Sequence, residues 1–88
     1  MSDQPGAPKP IAPSRVAEEL RRLTAQREKG ELDKDEYEHR FARMVGELRD
    51  RRIDGTRAEI MAALEPLARD GTVRPEDWQR LVTQLGLG

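Results

Sequence analysis

Apolar residues fall at helical spacing in four stretches of this chain, with polar punctuation between them. Val16, Leu20, Leu23 and Arg27 recur at steps of four, three and four, which places them on one face of a first helix over residues 14–29. Tyr37, Phe41, Met44, Val45 and Leu48 form the clearest stripe and predict a second helix over 33–52. Ile60, Met61, Leu64, Leu67 and Ala68 predict a third over 56–70. Trp78, Leu81, Val82 and Leu85 predict a fourth over 75–85. No stretch alternates with the period of two that a half-buried strand requires. The expected fold is all-α, four short helices arranged as two hairpins, 14–52 and 55–88, in one small domain.

The punctuation agrees with the stripes. Ser14 is placed to cap the first helix with its hydroxyl, and Gly30 supplies the left-handed residue that stops it. Leu32 then tucks back toward the core. Asp33-x-x-Glu36 and Thr56-x-x-Glu59 are capping boxes for the second and third helices. Arg49, Arg51 and Arg52 complement the dipole at the end of the second, and Ile53-Asp54-Gly55 reads as a turn. Pro66 should kink or loosen the third helix, because it lacks an N–H and crowds the carbonyl four residues back. Gly71 stops that helix. Pro75 suits the first position of the next, with Glu76 and Asp77 in its first turn. Gly86-Leu87-Gly88 reads as a fraying end.

The same recipe is written twice, as "KGELDKDEYEHRF" (Lys29 to Phe41) and "DGTVRPEDWQRLV" (Asp70 to Val82). A shift of 41 residues sets Leu23 on Leu64, Gly30 on Gly71, Leu32 on Val73, Tyr37 on Trp78 and Phe41 on Val82. Neither hairpin is large enough to bury its stripe alone, so the two pack on each other or on another chain.

Composition narrows the picture. Residues 1–13 carry four prolines and little apolar content, and predict a disordered arm ahead of the 14–88 domain. The Pro10-x-x-Pro13 pair in it is a common chance pattern. Aromatics are only 3% of the chain, too few for a β-sandwich or barrel. Charged residues make up 38% with a net charge of −1, which suits solvated helices and gives no general drive toward nucleic acid or anionic membrane. Cysteine is absent, so thiol chemistry and disulfides are excluded. Neither a signal peptide nor a membrane-length apolar run is visible, and the reading is a soluble, cytoplasmic protein without membrane contact.

The segment "LRRLTAQREKGELDKDEYEHRFARMVGEL", Leu20 to Leu48, resembles the SHOCT (short C-terminal) domain and its SHOCT-like relatives. The likeness lies in a Leu-rich first helix, a Gly followed by an aliphatic, and a polar cap. The acid-aromatic pair Glu36-Tyr37 and a second helix closing on Met and Leu complete it. The segment "LARDGTVRPEDWQRLVTQL", within 64–85, resembles the pattern more weakly. The resemblance implies a small helical module for oligomerisation or protein contact, without enzymatic activity.

A calcium loop with Gly71 at its sixth position would place Pro66, Ala68 and Asp70 at the first, third and fifth, and Asp77 at the twelfth. With Gly30 sixth, the corresponding residues are Ala25, Arg27, Lys29 and Glu36. Neither set can replace a divalent ion's hydration shell, so calcium is excluded and no metal or other cofactor is implied. His39, the sole histidine, lies off the apolar stripe and reads as solvated. With no nucleophile constellation and no phosphate loop, no catalytic residue is assigned and the chain is read as a non-enzyme. Glu36 with Arg40, and Glu47 with Arg51, read as surface pairs along the second helix.

Two functions remain. The leading expectation is a protein-interaction or oligomerisation module whose packing and contact residues are Tyr37, Phe41, Leu48, Leu64, Trp78, Leu81 and Leu85. The alternative is a small nucleic-acid-associated regulator using Arg49, Arg51, Arg52 and Arg57 around the turn between hairpins.

Overall fold

The structure, a computed structural model, describes residues 9–88. Among the described residues four helices run in order: α1 (Pro13–Glu28), α2 (Lys34–Arg51), α3 (Arg57–Arg69) and α4 (Pro75–Leu85). Among the described residues, no helix is long and apolar enough to cross a membrane.

Both capping boxes form in full. The Asp33 carboxylate accepts the Glu36 N–H at 2.8 Å while the Glu36 carboxylate accepts the Asp33 N–H at 3.0 Å. Thr56 and Glu59 repeat the exchange at 3.1 and 2.8 Å. Glu36 is thus engaged with its own cap and makes no ion pair with Arg40, whereas Glu47 and Arg51 do pair at 3.7 Å. The two stops also match: Gly30 and Gly71 hold φ of +80° and +85°, values that Gly adopts without strain. Each is followed by a buried aliphatic, Leu32 or Val73, whose N–H reaches back to Gln26 O or Leu67 O.

Several boundaries differ from the sequence reading. Pro13 takes the first helical position and Ala12 becomes the N-cap, so Ser14 falls inside the first turn and makes no cap bond. Proline's fixed φ favours that slot over the one before the cap. The expected disordered arm is only partly within view. Residues 1–8 of it lie outside the described residues, but residues 9–12 are tied down. Ile11 forms a parallel bridge with Ile53: its N–H donates to Arg52 O at 2.9 Å and its carbonyl accepts from Asp54 N–H at 2.8 Å. The Arg51 Nε donates to Lys9 O at 2.8 Å. Those backbone groups find partners in the turn between α2 and α3, which outweighs the proline signal. α3 runs through Pro66 to Arg69, the end its stripe implied, and the exposed position carries the proline ring toward solvent. The chain end is not frayed either. Leu87 is buried, its N–H donates to Val82 O at 2.9 Å, and its carbonyl accepts from Arg57 Nε at 2.7 Å.

The question of what covers the stripes is answered within one chain. α1 packs on α3, α2 packs on α4, and α1 also lies against α2. Under the 41-residue shift, α1 corresponds to α3 and α2 to α4, so like elements meet. One core joins Val16, Leu20 and Leu23 of α1, Phe41, Val45 and Leu48 of α2, Ile60, Leu64 and Leu67 of α3, and Leu81 of α4.

Candidate interaction surface

The equivalence between hairpins breaks at α4. In α2 the inward column is Tyr37, Phe41, Val45 and Leu48. The matching α4 positions, Trp78 and Val82, are only partly buried; the inward positions are Asp77 and Leu81, one residue earlier. α4 is therefore turned about its axis by the roughly 100° that separates adjacent helical residues. Trp78 was expected as the counterpart anchor to Tyr37. It lies instead, with Val82 and Leu85, along the flank of α4. Leu85 is likewise partly exposed rather than core. Phe41, Leu48, Leu64 and Leu81 are buried as their stripes implied.

In the place that Trp78 was expected to fill stands Asp77, 1% exposed. The Tyr37 hydroxyl donates to its Oδ2 at 2.8 Å. Arg74, the N-cap of α4, approaches the same oxygen at 3.3 Å, and Arg80, one turn further on, approaches Oδ1 at 3.5 Å. Arg80 also pairs with Glu38 and covers the Phe41 ring at 4.6 Å. Arg27, from the end of α1, lies 4.4 Å above the Tyr37 ring, with Arg74 at 5.3 Å from the same ring. Among the described residues the buried Arg27 Nη1 has no hydrogen-bond partner, and the guanidinium rests on the ring's electron-rich face. A buried carboxylate is tolerable only with such compensation, and the N-terminal end of α4 adds its dipole.

This cluster joins α1, α2 and α4 and holds the hairpins in one rotational setting. Burial, together with the Asp77 hydrogen bond and charge, pushes the Tyr37 phenol up to about 12. At neutral pH it is a neutral donor. The signal that could have revealed Asp77 was in the sequence: an acid with arginine three residues before and three after, four residues ahead of a core leucine.

The arginines around the inter-hairpin turn are mostly committed within the chain. Arg49 donates to Gln84 Oε1 at 3.2 Å, Arg51 reaches Lys9 O and Glu47, and Arg57 holds the Leu87 carbonyl. Arg52 sits at φ +71° with its carbonyl accepting from Ile11, and its side chain is exposed. His39 is exposed. Among the described residues, no three His, Cys, Asp or Glu side chains stand close enough to share a metal ion.

Comparison of the chain with protein-family models, curated proteins and solved structures gives no match.

Proposed function

We propose that this protein is a non-enzymatic helical module that self-associates through the flank of α4. The observation that carries the reading is the ridge of Trp78, Val82 and Leu85, left partly exposed after the chain has closed its own core. These residues stand at steps of four and three, so they share one face. Tryptophan is the residue type most enriched at the centre of protein interfaces. A two-fold axis would set this patch against the same patch of a second copy, the arrangement of most homodimers. The reading extends to the 20–48 hairpin as a SHOCT-like unit, whose resemblance points to the same kind of role.

Light scattering over a concentration series tests it. The expected result is a molar mass rising toward that of a dimer, with a blue shift of the single tryptophan's emission as Trp78 leaves water. W78R/L85E should remain monomeric with unchanged helical content. A monomer mass at the highest attainable concentration, with tryptophan emission insensitive to concentration, would overturn the reading.

A further inference from the structure

A second surface lies on the opposite hairpin. Between the first turns of α1 and the later turns of α2, beside the Ile11 bridge, lies an open crevice of about 400 Å³. That is within the lower part of the size range of ligand-binding sites. Its floor is apolar, formed by Val16, Leu48, Met44 and Ile11; Val16 and Leu48 belong to the core, and Met44 and Ile11 are partly exposed. Its rim is charged, with four arginines against two glutamates, Glu19 and Glu47.

The glutamates are already matched. Arg22 pairs with Glu19 at 3.6 Å and Arg51 with Glu47 at 3.7 Å. Arg15, Arg40 and Arg43 make no ion pair or side-chain hydrogen bond among the described residues, and all three are exposed. Arg40 is left so because Glu36, its neighbour one turn earlier, caps α2 instead. A chain with net charge −1 thus concentrates uncompensated positive charge around one apolar depression. A second, smaller depression continues the first along the same two helices, sharing Glu19, Arg40 and Met44 with it.

We infer that this crevice receives an acidic amphipathic helix of a protein partner, its apolar side chains on the Met44 floor and its carboxylates on Arg15, Arg40 and Arg43. Helix-in-groove docking needs an apolar trough with polar rims, and arginine and methionine are both enriched in such interfaces. Complementary charge around the trough selects an acidic occupant and accelerates its capture. A nucleic acid fits less well. Its phosphate backbone would leave the apolar floor without a matching surface.

The test uses the full chain, with NMR observation of the Met44 methyl and the arginine Nε–H groups. The probe is a synthetic amphipathic helix with a leucine stripe flanked by glutamates. Companion arms replace its glutamates by lysine or its leucines by serine, and a further arm uses a single-stranded oligonucleotide. The expected result is saturable shifts at Met44, Arg40 and Arg43 with the glutamate-leucine helix only. Affinity should fall with added salt and by about tenfold in R40Q/R43Q. These two exposed positions are peripheral to the core, and helical content serves as the check on folding.

Three results would overturn it: no saturable shift at Met44, equal binding of the lysine helix, or tighter binding of the oligonucleotide. Shifts confined to Trp78, Val82 and Leu85 would also defeat it, while leaving self-association through α4 intact. Conversely, a strictly monomeric protein that still binds the glutamate helix at Met44 would sustain the crevice and remove the α4 reading.

Discussion

Tyr37 and Asp77 are the residues on which the relative setting of the hairpins turns. The phenol–carboxylate bond spans forty positions of sequence and lies wholly inside the molecule. Tyr37→Phe removes the donor but leaves the carboxylate with Arg74 and Arg80. It should destabilise by about 1–3 kcal/mol, the range for leaving a buried polar group short of a partner, as read from urea denaturation. Asp77→Ala leaves the buried Tyr37 hydroxyl without its charged acceptor and should cost about 2–3 kcal/mol, the partly exposed Arg74 and Arg80 being free to turn to water. The same bond gives a pH signature. Because the folded phenol titrates at about 12 and an unfolded tyrosine near 10, its contribution is fully present below about pH 10. Between those values the unfolded state releases the proton first, so stability falls as pH rises. Denaturation midpoints across that window should decline more steeply in the parent than in Tyr37→Phe. In the sequence Asp77 reads only as a first-turn acid; its flanking arginines hint at a compensated burial, but the hydroxyl that donates to it comes from the other hairpin and no local pattern names that partner. Tyr37, on an unambiguous stripe, was legible as buried without its hydroxyl's destination being so.

At the scale of elements, helix ends were far easier to read than helix rotations. Caps and stops are local: Asp33 with Glu36, Thr56 with Glu59, and the turns at Gly30 and Gly71 complete their bonds within a few residues. Asp33→Ala and Thr56→Ala should each lose about 1 kcal/mol, measured by thermal or urea unfolding. Gly30→Ala should lose a similar amount through its positive φ, since open space around it rules out a clash. Rotation is not local. On α4 two overlapping columns compete for the core, Asp77 with Leu81 and Trp78 with Val82, and hydrophobicity alone selects the second. The first prevails because the Tyr37 hydroxyl, Arg74 and Arg80 make the burial of Asp77 tolerable, while the tryptophan retains a partly exposed edge. The same distinction explains the misread ends. Proline density and a glycine-rich terminus describe what a segment does alone, whereas Ile11 and Leu87 answer to Ile53, Val82 and Arg57.

For the whole molecule, pairing of like helices makes each hairpin depend on the other. The stripe of α1 is covered by α3 as well as by α2, and that of α2 by α4. A separated first hairpin would expose Val16, Leu20, Leu48 and the phenol of Tyr37 together, and short helices in water are marginal without such cover. Fragments 9–55 and 56–88 should each show weak, non-cooperative helicity by circular dichroism. Mixed in equal amounts they should regain cooperative melting, because every contact between them is non-covalent except the turn at 52–56. Recombination should be weaker with Asp77→Ala in the second fragment and nearly unaffected by Arg40→Gln in the first, which touches only the outer crevice. A first fragment that melts cooperatively on its own would show that the hairpin is the folding unit, and that the two copies were joined after each could already stand. Deleting residues 87–88 from the intact chain probes the same unity from its edge. Loss of the buried Leu87 should cost about 2 kcal/mol, and in a single cooperative unit that loss should lower the melting of the first hairpin's amides as much as the second's. Hydrogen exchange that slows or quickens in one hairpin alone would divide the molecule in two.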